Sequence, residues 1–393
     1  MRIYQIVFIF LTLLLHGFAA SSQPPGQNRI IPGAERMYKY IPYIGDKPFA
    51  VVANHTSLVG NTHLVDTLTA MKYNLKKIFS PEHGFRGKAE AGASLHNSID
   101  SITGLPVISL YGTHRKPRAE DLKDVEIVLF DIQDVGARFY TYISTLSLVM
   151  EACAENNIRL IILDRPNPHG YYVDGPVLEP GFSSFVGMHP IPIVHGMTMA
   201  EYARMVNDEG FINGYCDLAW VKCKNYSHTD HYSLPVKPSP NLPDMQAIYL
   251  YPSLCLFEGT VVSIGRGTDF PFRVYGHPDM KGPFSFVPQP NAASSHPKHA
   301  YQRCYGENLT REARAIKNKG QIRLVWLLEA YKQLADSTAF FTPYFTKLAG
   351  TTALQAQIEA GLTAKEIRQS WEPKLSEFKK LRKKYLLYPD FDE

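Results

Sequence analysis

Carboxylates collect where apolar runs stop. Val125 to Tyr142 reads VEIVLFDIQDVGARFYTY. The large and β-branched residues from Glu126 to Phe130 end at Asp131, and Gln133, Asp134, Arg138, Tyr140 and Tyr142 follow within one loop and the first turn of a helix. Asn54, His55, Thr56 and Ser57 follow the run Phe49 to Ala53, Glu82, His83 and Arg86 follow Lys77 to Phe79, and Asp164, Arg165 and Asn167 follow Ile158 to Leu163. Runs of this texture read as strands buried on both faces of a parallel sheet, and ligands of open α/β sheets bind just beyond the strands' carboxyl ends. Set against a site there is a purely structural reading, in which Asp131 and Asp134 cap the next helix.

Two chemistries use such a set. A pair of carboxyl groups flanking a glycosidic bond protonates the leaving oxygen and assists water or the oxocarbenium-like centre. Alternatively, several carboxylates and a histidine hold a divalent metal that activates water. His-Glu-x-x-His and His-x-x-x-His spacings are absent, so zinc ligation is not signalled. A Gly-x-Gly-x-x-Gly after the first strand, a P-loop and a Gly-x-Ser-x-Gly elbow are missing too, which removes the usual supports for NAD, ATP and serine-esterase chemistry. From the residues alone carbohydrate hydrolysis stands slightly ahead of metal-dependent hydrolysis. A non-catalytic exported sugar-binding protein is the third reading.

The elements that would position these groups alternate. Strands are expected at 49–53, 77–79, 105–110, 126–130, 158–163 and 217–221. Helices are expected at 65–73, 119–123, 141–156 and 199–208, the last capped by Thr198 with Glu201 completing a capping box. This alternation predicts a parallel sheet with helices on both faces. Pro166 to Pro192 reads as a long loop over the site. KPSPNLPD at Lys237 to Asp244 marks a domain boundary. Beyond it a Gly- and aromatic-rich passage, Tyr249 to Gly276, leads into helices at 324–334, 351–360 and 364–371, with Lys379 to Lys384 as a solvated face.

The 393 residues suffice for two cores. Lys and Arg total 41 against 37 for Asp and Glu, a balance that argues against a nucleic-acid partner. Arg2, the apolar run Ile3 to Leu15 and the small residues Gly17, Ala19 and Ala20 predict a cleavable signal peptide over 1–20, hence a periplasmic or secreted protein with no membrane span after cleavage. No cysteine stands at the cleavage site, so no lipid anchor is expected. The division expected is signal peptide 1–20, lead-in 21–44, catalytic domain 45–236 and C-terminal domain 237–393. The five cysteines are odd in number and contain no Cys-x-x-Cys. Cys216 and Cys223 could pair across a hairpin, whereas Cys153 and Cys255 lie in apolar segments that suit buried thiols.

SPEHGFRG at Ser80 to Gly87, FDIQDVGARFYTY at Phe130 to Tyr142, LDRPNP at Leu163 to Pro168, PSPNLP at Pro238 to Pro243 and CLFEGTVVSIGRGTDFPF at Cys255 to Phe272 together resemble the exo-β-N-acetylmuramidase family NamZ, formerly a domain of unknown function. The resemblance spans nearly the whole chain. It implies a Rossmann-like parallel-sheet domain with a smaller α+β C-terminal domain, a site in the cleft between them, no cofactor and no metal. It also implies release of N-acetylmuramic acid from the non-reducing end of β-1,4-linked peptidoglycan fragments. Glu82, His83, Asp131 and Asp134 become the catalytic candidates. Asn54, Thr56, Arg86, Gln133, Arg138, Tyr140, Asp164, Arg165, Asn167, Glu258, Arg266, Thr268 and Asp269 become the substrate-binding candidates. Glu82 is the expected proton donor, kept protonated near neutral pH by partial desolvation. A bidentate arginine suits the lactyl carboxylate of the sugar, with Arg138 or Arg266 preferred and Arg86 behind.

Overall fold

The computed structural model describes residues 29–82, 84–87, 97–335 and 339–391. The expected signal peptide and His83 lie outside the described residues.

A seven-stranded sheet dominates the first half, in the order Leu218–Val221, Arg159–Leu163, Ile127–Asp131, Phe49–Ala53, Leu75–Ser80, Pro106–Ser109, Ser98–Ile99. All neighbours pair in parallel except the short Ser98–Ile99 edge. Numbered along the chain, the six parallel strands run 3-2-1-4-5-6, the doubly wound order, with its switch point between Phe49–Ala53 and Ile127–Asp131. Alternation divides the strand residues between two layers. Ala50, Val52, Val128, Phe130, Leu160 and Ile162 join the core of the helices Tyr142–Glu155 and Met199–Asp208. Val51, Ala53, Ile127, Leu129, Ile161 and Leu163 join that of Met37–Ile44 and Leu64–Ala70. The capping box of Thr198 and Glu201 is formed as the sequence dictates.

The Pro166 to Pro192 passage is more ordered than a loop: Asp174–Val177 and Pro192–Val194 pair as an antiparallel ribbon. Past the helix Met245–Leu254 the chain forms a three-stranded antiparallel sheet, Val274–His277, Cys304–Asn308 and Phe284–Phe286, and then mainly helices. These helices extend the larger of the two sheet cores rather than building one apart.

The last helix, Ala364–Lys383, runs well past the expected 364–371 and packs along the ribbon strand Asp174–Val177, and the tail that follows it reaches the parallel sheet. Arg368 pairs with Asp174 at 2.7 Å. Arg382 does not belong to a solvated face as expected: it is fully buried, bonded to Asp390 and to the carbonyl of Gly196. Tyr388 donates its hydroxyl to Asp164, and the Leu387 amide donates to Glu201, which also meets His228. All five cysteines are buried free thiols, so Cys216 and Cys223 do not pair. No helix among the described residues is long and apolar enough to cross a membrane.

Candidate active site

The switch point is sealed by protein groups. Asp131 receives Arg165 through two hydrogen bonds, 2.6 and 2.9 Å, with both side chains buried. Asn54 accepts from the amide and hydroxyl of Thr56, and that hydroxyl in turn accepts the Gln133 amide. Gln133 donates to the carbonyls of Asp134 and Pro166, and Asn167 donates to that of Met197. Polar strand ends expected to face a ligand are therefore largely bonded to other protein groups.

Several other candidates are likewise committed. Asp134 is buried with one oxygen on the Gly136 amide, and burial pushes it up to about 7 against the Gly136 and Val135 amides. Asp164, driven up to about 7 by burial, takes Tyr388 and the Ala200 amide at the start of a helix. Arg86 is held by Asp66 and Asp100. Thr268 closes its own turn onto Gly265, and Asp269 is exposed beside Arg273.

Arg138, a preferred reader of the lactyl group, is fully buried and donates to four carbonyls, Pro176, Ile191, Leu348 and Ala349, at 2.8 to 2.9 Å. Burial lowers its guanidinium to about 9. The fit is close: a Cβ at Gly350, whose φ is +77°, would stand 2.7 Å from a guanidinium nitrogen. Arg138 thus ties the ribbon to the helix Phe345–Ala349 and, unlike Arg266, does not line the site's open cavity.

The open space lies farther out, between the sheet's carboxyl edge and the C-terminal region, as a cavity of about 740 Å³. Among the expected residues Glu82, Tyr140, Glu258 and Arg266 line it. Glu82 stands half-buried in the turn after Leu75–Ser80 and accepts the Thr141 hydroxyl at 2.9 Å. Glu258 ends the turn following helix Met245–Leu254 and accepts Arg266 Nε at 3.0 Å. Gly265 and Gly267, both left-handed with φ of +79° and +77°, form the tight turn that presents Arg266. About a quarter of each side chain in this pair remains exposed, 24 % for Glu258 and 23 % for Arg266.

Burial opposes the Glu258 charge, but the Arg266 guanidinium, with Lys298 behind it, outweighs burial and holds the carboxyl below its ordinary value. Lys298 was not foreseen. Its ammonium donates to the carbonyls of Phe257, Glu258 and Thr260 at 3.0, 3.0 and 2.5 Å, a cation set against the carbonyl end of a helical turn. Tyr140, whose hydroxyl bonds to Pro238, joins Tyr251 and Phe272 in an aromatic floor with centroids 5.0 to 5.8 Å apart, and Arg266 lies over Phe272.

Sequence reasoning also missed Tyr111, Arg115, Phe185, Asn241, Tyr344 and Lys347 on the cavity wall. Asn241 stands within PSPNLP, which serves in the sequence as a boundary and as a family motif but supplies no site candidate. Tyr111 and Arg115 follow the Pro106–Ser109 strand, where the strand-end rule applied as it did elsewhere.

Residues 49–246 match the family description "Exo-beta-N-acetylmuramidase NamZ, N-terminal", and residues 249–388 match its C-terminal counterpart. The chain is 38% identical over 418 residues to the peptidoglycan beta-N-acetylmuramidase NamZ of Bacillus subtilis, covering 98% of this chain and all of that protein. Two crystal structures of DUF1343 family proteins from Bacteroides fragilis share the fold. One is 47% identical with a TM-score of 0.86, the other 28% identical with a TM-score of 0.76. Each covers 92% of this chain, and 100% and 99% of their own chains are matched. A carboxylate-lined cleft on this scaffold, with these relatives, makes the chain a glycoside hydrolase. It belongs to the exo-β-N-acetylmuramidase NamZ family.

Proposed function

We propose that the protein is an exported exo-acting hydrolase that removes N-acetylmuramic acid from the non-reducing end of β-1,4-linked peptidoglycan fragments. The observation that carries this reading is that Glu82 and the Glu258–Arg266 pair line one aromatic-floored cavity. Glu82 donates the proton to the departing glycosidic oxygen, and Thr141 fixes the orientation of its carboxyl group. Glu258, held as a carboxylate by Arg266, faces the positive charge that develops at the anomeric carbon or directs the incoming water. Asp131 and Asp134 support the loop behind these groups and exchange no proton with substrate. The substrate class and the exo mode are supported by the family and the Bacillus subtilis relative. Export rests on the leader-like residues 1–20, and Edman sequencing of the periplasmic or secreted protein should begin near residue 21.

The test is incubation of the mature protein with the disaccharide N-acetylmuramic acid β-1,4-N-acetylglucosamine, followed by NMR. Release of both monosaccharides, with one anomer of muramic acid formed first, is expected. Binding without cleavage would replace the enzyme with a sugar-binding protein.

A further inference from the structure

Between the strand Pro106–Ser109 and the helix Ala119–Leu122 the chain carries four basic side chains in five residues, His114, Arg115, Lys116 and Arg118. Three of them face carboxylates. His114 lies 2.9 Å from Asp121, Lys116 2.8 and 2.6 Å from Glu151 and Glu155, and Arg118 3.1 Å from Glu120. Arg115 has no carboxylate at ion-pair distance among the described residues. Its guanidinium lies over the ring of Phe185, 4.4 Å from the centroid, and both side chains line the cavity that contains Glu82 and Glu258.

The arginines of the sequence motifs are occupied. Arg138 is spent on four carbonyls, Arg86 on two aspartates, Arg165 on Asp131, and the charge of Arg266 is matched by Glu258. Arg115 therefore brings an unmatched positive charge to the cavity. A guanidinium over the face of an aromatic ring can still offer its N–H groups for bidentate contact with a carboxylate, which a lysine in the same place would not reproduce. Phe185 sits at the tip of the turn closed by the Ser184–Gly187 bridge, so the platform under Arg115 is fixed by local pairing.

We propose that Arg115, seated on Phe185, determines specificity by taking a carboxylate carried by the substrate's sugar. This rests on the glycosidase reading above and adds to it the group that distinguishes a muramic from a glucosamine residue. Such a carboxylate has two sources, the lactyl group itself or the peptide that can extend from it.

The experiment compares wild type, Arg115→Ala, Arg115→Lys and Phe185→Ala on three chromogenic glycosides: the N-acetylmuraminide, its lactyl carboxamide and its dipeptide-bearing form. For Arg115→Ala, kcat/KM on the muraminide should fall about ten- to a hundredfold while the carboxamide changes less than about threefold, with Arg115→Lys and Phe185→Ala between. A loss confined to the dipeptide form would assign the carboxylate to the peptide. Equal losses on muraminide and carboxamide overturn the proposal. If wild type hydrolysed none of the three, the glycosidase reading would fall instead, and equilibrium binding of N-acetylmuramic acid and its carboxamide to wild type and Arg115→Ala would decide the role of Arg115 separately.

Discussion

The hydroxyl of Thr141 donates to Glu82 Oε2 at 2.9 Å, joining the carboxylate of one strand-end turn to the residue that precedes a helix, 59 positions later. Thr141 stands at the N-cap of Tyr142–Glu155 yet makes no cap hydrogen bond, so its hydroxyl serves the cleft instead of the helix. Of the motif FDIQDVGARFYTY, Phe139, Tyr140 and Thr141 line the cavity, whereas Asp131 and Asp134 do not.

Glu82→Gln should lower kcat on an N-acetylmuraminide by about a hundredfold or more, the loss expected of a general acid. Thr141→Val, which keeps the shape and removes the donor, should cost about tenfold. A leaving group that needs no protonation, such as dinitrophenolate, should restore much of the Glu82→Gln rate, and failure to do so would take Glu82 out of the proton-donor role.

Lys298→Met removes a charge from three carbonyls and from beneath Glu258. We expect kcat to fall by about tenfold or more. The acid limb of the pH profile should move to higher pH, because Glu258 loses one of the two cations that favour its ionised form. A Lys298→Met enzyme with an unmoved acid limb would show the ammonium to be structural only.

Arg138 is expected to matter for stability rather than recognition. Arg138→Met strands four buried carbonyls and should destabilise by about 3 to 5 kcal/mol, the range for breaking a buried charged network. Chemical denaturation measures this loss. Whatever activity remains should fall equally on the muraminide and its carboxamide, in contrast to Arg115→Ala.

Asp134 makes stability depend on pH with a defined sign. In the native protein it keeps its proton up to about 7, whereas the unfolded chain releases it near 3.8. Its contribution is therefore complete below the unfolded value and is lost as the pH rises toward 7. The stability difference between Asp134→Asn and wild type, from denaturant melts at about pH 4.5 and about pH 7.5, should shift in favour of the variant at the higher pH. A difference that stays constant would mean that Asp134 is ionised in the fold.

Much of the scaffold was legible because its signals are local. The strand Phe49–Ala53 and the helix Met199–Asp208, with its Thr198 cap, follow from residue type and spacing alone. Of the residues singled out in the sequence, Glu82, Tyr140, Glu258 and Arg266 line the cavity. Asp131 and Asp164 misled because a carboxylate at a strand end looks the same in sequence whether it meets substrate or, as here, Arg165 and Tyr388. Those partners arrive from 34 and 224 residues away, and no local pattern announces them. Arg382 was hidden for the same reason: within a lysine-rich run only the three-dimensional position of Asp390 and Gly196 sets it apart.

The tail that follows the last helix completes the hydrogen bonding of two buried carboxylates at the parallel sheet. Asp164 and Glu201 are fully buried in the first half, yet a partner of each, Tyr388 and Leu387, belongs to the final residues. A half-synthesised chain lacks these two donors, so both buried carboxylates stay short of their full set of partners until residues 387 and 388 are in place. Assembly is accordingly an event of the whole chain, and a sheet half expressed alone would be a poor folding unit.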